Sequence, residues 1–191
     1  CNQQGDTLAL LPLQCAGYAA WQQALLQSED YVSQLEYWKN QLGGETPVLK
    51  MPMDRPRHSV MTNNGAIVRH TFSAELTEAL VALSKTQGVT LFVTLYSAWQ
   101  VLLQRYTGQD DIPVGTPITT RNRPELRQLV GLFINTLVLK SDLQGNPDFI
   151  TLLKRNRKIA FGAFARQDVP YEKLVEALKL KRNLSHNPFF Q

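Results

Sequence analysis

Residues 130–140 read Val130-Gly131-Leu132-Phe133-Ile134-Asn135-Thr136-Leu137-Val138-Leu139-Lys140, and this run decides the fold. From Leu132 to Leu139 it is rich in β-branched and aliphatic residues with both faces mainly apolar, which predicts a strand covered on both sides, a central strand. Asn135 interrupts it. Side chains alternate along a strand, so Asn135 shares a face with Phe133, Leu137 and Leu139, and a buried amide must find hydrogen-bond partners. It either pins a neighbouring loop or faces a wet channel.

Working outward, Asp111–Ile118 has the composition of a second strand, with a short helix predicted over Pro124–Leu129. Further upstream, Gly65–Phe72 reads as a strand. Ser73 stands at a helix N-cap before Leu76, Leu80 and Leu83, with Gly88 as the stop, and Thr90 caps the next helix, which runs to Tyr106. That helix is apolar almost all round, which predicts burial. Its Leu91–Leu103 core falls short of the roughly 18 apolar residues of a membrane span.

The N-terminal stretch Pro12–Leu42 carries Tyr18, Trp21, Leu25, Leu26, Val32, Leu35, Trp38 and Leu42 at spacings of three and four, predicting one or two amphipathic helices that end at Gly43-Gly44, with the aromatics in the core. Pro47–Asn64, punctuated by Pro47, Pro52 and Pro56, suits an extended connector. Downstream, Asn146-Pro147 predicts an N-cap and first helical residue for a helix carrying Phe149, Leu152, Leu153, Ile159 and Phe164. A last helix is expected over Pro170–Leu178. Strands alternating with long helices predict a layered α/β lobe.

The chain has 191 residues, 43% hydrophobic, enough for one core, and carries a formal charge of +4 with a pI near 9.1. Such a mild basic excess favours an acidic partner without demanding nucleic acid. Cys1 and Cys15 form no metal-binding or disulfide pattern, which suits a reducing, cytoplasmic setting. The apolar ending Pro188-Phe189-Phe190-Gln191 and the start at Cys1 read as cut ends.

Acyl transfer calls for a positioned base or an activated nucleophile. None of His58, His70 and His186 has the spacing of a catalytic or metal motif, so structural or surface roles are expected for them. Asp110 and Asp111, adjacent on a strand, point to opposite faces and cannot chelate one ion; no metal site is expected. Lys154, Arg155, Arg157 and Lys158 read as a solvated helix face, with docking of an acidic partner as the alternative.

Six segments in order resemble the condensation domains of nonribosomal peptide synthetases. Residues 18–22, YAAWQ, resemble the family's YADYAVWQ segment. RYTGQDD at 105–111 resembles RYSGQDD, and GTP at 115–117 with RNR at 121–123 resembles GTPxxNR. Residues 130–140 are similar to IGxFVNTLxLR, RQDVPYE at 166–172 to HQDVPFE, and RNLSHNPFFQ at 182–191 to RDLSRNPLFQ. The chain departs from the pattern at Gly17, Arg166, Tyr171 and Asn183, where Asp, His, Phe and Asp are usual.

The resemblance covers residues 1–191 as the C-terminal half of such a domain and implies a two-lobed fold related to chloramphenicol acetyltransferase. The N-terminal lobe would bring an HHxxxDG catalytic motif, which this sequence lacks, so the fragment alone is expected to be inactive. No cofactor is expected to bind directly; two peptidyl carrier domains would deliver phosphopantetheine arms from opposite ends of a tunnel, and the acceptor's amine would attack the donor thioester. The resemblance implies Asn135 and Thr136 at the tunnel wall, Gln167 and Asp168 fixing the loop before the last helix, and Arg121 and Arg182 in loop and lobe contacts. It implies as partners the donor and acceptor carrier domains, the N-terminal lobe and an adjacent adenylation domain, with no nucleic acid and no membrane. Epimerisation or heterocyclisation relatives and a non-catalytic carrier-docking module, contacting carriers through Lys154, Arg155, Arg157 and Lys158, are the alternatives.

Overall fold

The computed structural model describes residues 11–44, 47–62, 64–180 and 183–190. Helices α1 (Cys15–Leu25) and α2 (Glu29–Leu42) lead through an irregular connector to α3 (Ala74–Thr86) and α4 (Leu91–Thr107). Strand β1 (Asp111–Thr119), a 3-10 turn at Pro124–Leu126, β2 (Ile134–Asp142), α5 (Phe149–Phe164) and α6 (Tyr171–Ala177) complete the order.

Local chemistry sets most boundaries. Ser28, Ser73 and Thr90 each accept, through the side-chain oxygen, the N–H three residues on, which satisfies an orphan donor of the first turn. Gly88 and Gly108 follow α3 and α4 at φ of 62° and 67°, a left-handed conformation that glycine adopts without a Cβ penalty. The cap of α5 differs from expectation. Asn146 has a φ of 47°, which denies it the extended backbone of an N-cap. Asp148 takes that place, accepting from Thr151 N at 3.0 Å and from its hydroxyl at 2.6 Å. These bonds hold the Asp148 carboxyl below the usual carboxylate range.

The two strands pair antiparallel with Thr136 opposite Pro117 and Val138 opposite Gly115. Leu137, Val138 and Leu139 are all buried, so both faces of β2 are covered in its middle, as its composition predicted, whereas Leu132 just before it and Ile134 at its leading end are 84% and 62% exposed. It is nonetheless not a central strand among the described residues, because β1 is its single partner. Its burial comes from α4, α5 and α6 and from Phe189, which join Trp38 and Leu42 in the main core. Gly65–Phe72 forms no strand: Ile67 and Val68 are 81% and 96% exposed, and no neighbour offers a backbone ladder.

Helix α4 is not buried all round. Val93, Tyr96, Ser97, Gln100 and Leu103 face inward, whereas Leu95, Trp99, Leu102 and Tyr106 form an exposed apolar stripe. The buried side is polar in part. Gln100 Nε2 donates to Tyr96 Oη at 2.8 Å and to the Ile112 carbonyl at 3.1 Å, and Tyr96 Oη lies 2.7 Å from Ser141 Oγ. Ser141 Oγ donates to Asn156 Oδ1 at 2.7 Å, and Asn156 Nδ2 donates to Ser97 Oγ at 2.9 Å. This network ties α4, both strands and α5 into one unit. Among the described residues no single helix is long and apolar enough to cross a membrane; α3 and α4 reach that length together only as a pair bent by 104°.

Candidate functional site

The loop between α5 and α6 is held from two sides. From β2, Asn135 Nδ2 donates to the carbonyls of Gln167 and Val169, both at 2.9 Å. Its Oδ1 accepts from Thr136 N at 2.9 Å and from Tyr171 N at 3.0 Å. All the strong valences of the amide are used, which makes Asn135 the pin of the Gln167–Tyr171 turn. From α2, Gln34 Nε2 donates to Asp168 Oδ2 at 3.2 Å and its Oε1 accepts from Asp168 N at 3.3 Å. Trp38 Nε1 donates to the Arg166 carbonyl at 2.8 Å, and the Arg166 guanidinium lies 4.2 Å from the Tyr37 ring centroid.

Beside this turn lies a cleft of about 180 Å³, walled by Tyr18, Trp21 and Gln22 of α1, by Thr120 and Asn122 after β1, and by Asn135, Gln167, Asp168 and Glu172. The α1 aromatics are half-buried in this wall, Tyr18 also packing against a small core of Leu126, Leu129 and Phe133. Arg123 lies 4.6 Å from the Trp21 ring centroid, and Tyr18 packs against Phe133 at 5.0 Å between centroids. Arg121 shapes the neighbouring loop. Its guanidinium donates to the carbonyls of Leu126, Leu129 (2.8 Å) and Gly131 (3.3 Å), and it lies 4.1 Å from the Phe133 centroid.

The expected residues therefore separate. Asn135, Gln167 and Asp168 converge on the cleft, whereas Thr136 engages Asn135 through its backbone and is not among the cleft residues. Arg121 contacts a loop of its own chain, and Arg182 lies outside the described residues. Lys154, Arg155, Arg157 and Lys158 lie on the exposed side of α5, away from the cleft lining. Gln34 was not foreseen, although its spacing from Trp38 and Leu42 puts all three on one face of α2.

Tyr171 adds a second tie. Its hydroxyl donates to Asn187 Oδ1, which also accepts from Phe189 N at 3.1 Å, so the start of α6 grips the last described segment. Burial pushes the Tyr171 phenol up to about 12, partly offset by that bond to Asn187. A phenylalanine at this position could not make it.

His58 and His186 border a second, more open cavity of about 500 Å³ between residues 57–62 and 185–190. Asn183 Nδ2 donates to His186 Nε2 at 2.9 Å, and His186 Nδ1 donates to the Asn187 carbonyl at 2.9 Å, an arrangement that uses both ring nitrogens locally. His70 packs edge-on against Phe72. Asp110 accepts from Gln104 Nε2 at 2.6 Å and Asp111 pairs with Lys140 at 3.0 Å, so the adjacent carboxylates serve separate partners. Among the described residues no group of three or more His, Cys, Asp or Glu could hold a metal ion.

Comparison with known proteins agrees with the motif order. The family described as Condensation domain matches residues 1–191. The chain is 50% identical over 190 residues to a linear gramicidin synthase of Brevibacillus parabrevis, an alignment covering 98% of this chain and 2% of that protein. The crystal structure of the X-domain from teicoplanin biosynthesis superposes with a TM-score of 0.90 at 28% identity, over 97% of this chain and 42% of that one. A four-domain nonribosomal peptide synthetase bound to AMP and glycine superposes with a TM-score of 0.85 at 28% identity, over 91% of this chain and 13% of that one. The chain thus spans a small part of the relatives it matches, and it belongs to the condensation domain family.

Proposed function

We propose that the chain is the C-terminal part of a condensation domain that, when complete, joins two carrier-bound thioesters through an amide bond. The acceptor's amine attacks the donor's thioester carbonyl, a C–N bond forms, the C–S bond breaks, and the amine proton is passed on as the donor arm leaves as a thiol. Phosphopantetheine enters as the substrate's own arm, carried by two partner domains.

The observation that carries this reading is the match to the condensation family over residues 1–191, at 50% identity to part of a peptide synthase. Two features support a partial domain. No two histidines are adjacent in the sequence, and in this reading the HHxxxDG motif is supplied by the remainder of the domain. The exposed stripe of Leu95, Trp99, Leu102 and Tyr106 is the kind of apolar surface that a soluble domain covers, and we assign its cover to the remainder of the same domain.

In this scheme the cleft beside Asn135 forms part of the channel wall. Its residues act by position. Asn135, Gln34 and Trp38 hold the Arg166–Tyr171 turn at a fixed height, so that the wall does not yield when a long, flexible arm enters. Thr136 contributes through the strand ladder and Arg121 through the loop it gathers.

The test begins with the coding sequence on either side of these residues, followed by expression of the whole domain with loaded donor and acceptor carriers. An HHxxxDG segment in frame upstream, and an amide product on the acceptor detected by mass spectrometry, are expected. A complete domain that holds both loaded carriers yet transfers no acyl group would leave a non-catalytic docking module as the better reading.

A further inference from the structure

The outward side of α5 combines positive charge with one bare aromatic ring. At about 100° per residue, Lys154, Arg157, Lys158 and Phe161 fall within roughly 100° of arc on the helix. All four are exposed, Phe161 at 77%. Arg155, although adjacent in sequence, is turned out of this stripe, donating to the carbonyls of Asp142 at 3.2 Å and Gln144 at 3.4 Å.

Among the described residues the three remaining cations form no ion pair. The ion pairs among the described residues join Lys39 to Glu36, Lys140 to Asp111 and Lys173 to Glu176, and none involves α5. Phe161 likewise stacks on no described ring, whereas Phe164, one turn on, packs against Phe92. The inward side of the helix is fully engaged, with Leu152, Leu153, Ala160 and Ala163 buried.

We infer that this stripe is a docking surface for an acidic protein domain of the same multidomain polypeptide, with Phe161 as the apolar anchor and Lys154, Arg157 and Lys158 as its charged rim. The inference rests on the reading above that the chain works within a synthetase, where neighbouring domains are present at high effective concentration. An aromatic ring 77% exposed and flanked by cations matches the anchor-and-rim build of a protein interface. A membrane-surface helix needs a long apolar face, and here Leu152, Leu153, Ala160 and Ala163 are buried in the fold and Phe164, 39% exposed, packs on Phe92. Charge complementarity selects a partner rich in Asp and Glu with an apolar recess.

The experiment uses the full-length synthetase with Phe161 replaced by the photocrosslinker p-benzoylphenylalanine, irradiated and mapped by mass spectrometry. The expected adduct lies on an Asp/Glu-flanked peptide of another domain. Its yield falls about fivefold or more when salt rises from about 50 to about 500 mM, because screening shortens the reach of the rim charges. Arg157→Glu with Lys158→Glu gives a similar loss, and so does Lys154→Glu alone to a smaller degree. The inference is overturned by the absence of any interdomain adduct, by adducts only to anionic phospholipid vesicles when these are added, or by a yield indifferent to charge reversal. Amide formation is assayed on the same preparations. Product without the crosslink rejects this docking surface alone; the crosslink without product rejects the proposed catalysis alone.

Discussion

Asn135 accepts the backbone N–H of Tyr171 at 3.0 Å with the same side chain that donates to the Gln167 and Val169 carbonyls at 2.9 Å each. One amide thus closes the turn between α5 and α6 from three directions. Few side chains can replace it, because the job needs two donors and an acceptor on one planar group.

Asn135→Ala is expected to lower stability by about 2–3 kcal/mol, since each stranded polar group costs of order 1 kcal/mol or more. Asn135→Asp should be at least as harmful near neutral pH, because it replaces the donor by a carboxylate oxygen facing two carbonyls. Urea unfolding and amide formation by the complete domain check this. A fully active, equally stable Asn135→Asp protein would contradict the pinning role.

Arg121→Lys keeps the charge but loses the planar fork that gathers the Leu126, Leu129 and Gly131 carbonyls. Faster amide hydrogen exchange is expected across residues 124–131, with a stability loss of about 1–2 kcal/mol. Unchanged exchange there would show that the loop holds its shape without the guanidinium.

Asn156 is fully buried and links Ser141 to Ser97. Truncating it removes one hydrogen bond from each hydroxyl, leaving Ser141 with Tyr96 and Ser97 with the Val93 carbonyl, and leaves a void, so Asn156→Ala should cost about 2–4 kcal/mol. Chemical denaturation is the measure. A loss well under 1 kcal/mol would mean that the network contributes little to holding α5 on the sheet.

Alkaline pH should unfold the protein partly through Tyr96. Burial pushes its phenol up to about 12, with hydrogen bonds to Ser141 and Gln100 pulling the other way, against 10.0 for a free tyrosine. The native state therefore keeps a proton that the unfolded chain gives up. Its contribution is fully present below about pH 10 and is lost as pH rises towards about 12, by roughly 2–3 kcal/mol at about 1.4 kcal/mol per unit. Tyr171 shifts in the same direction. Tyr96→Phe should be less stable at neutral pH, yet show a shallower decline between these values in urea unfolding monitored at successive pH. An equally steep decline would remove Tyr96 from the account.

A Cβ on Gly115 would overlap the Phe190 ring, meeting its Cζ and Cε atoms. Gly115→Ala is expected to destabilise by about 1–3 kcal/mol through overpacking. Combining it with Phe190→Leu should cost less than the sum of the two changes, and a double-mutant cycle reads that coupling. Strict additivity would separate the two sites.

Much of the fold was legible from local signals. The caps at Ser73 and Thr90, the helical character of the N-terminal stretch, the strands on either side of the 3-10 turn and the buried character of residues 137–139 all follow from patterns within a few residues. The motif order identified the family before any contact was known. Asn135 stood out for a reason of the same kind, a polar residue on an apolar strand face.

What the chain touches across long separations was not legible. Choosing between a pin and a wet-channel group required knowing that residues 32, 34 and 36 positions further on place two carbonyls and an N–H around Asn135. The same holds for Gln34, whose partner Asp168 lies 134 residues away. The bare stripe on α4 and the unpaired Gly65–Phe72 segment are cases where composition predicted burial or pairing and tertiary structure supplied no partner. Periodicity records which face of an element prefers to leave water; the three-dimensional arrangement alone decides what, if anything, covers it.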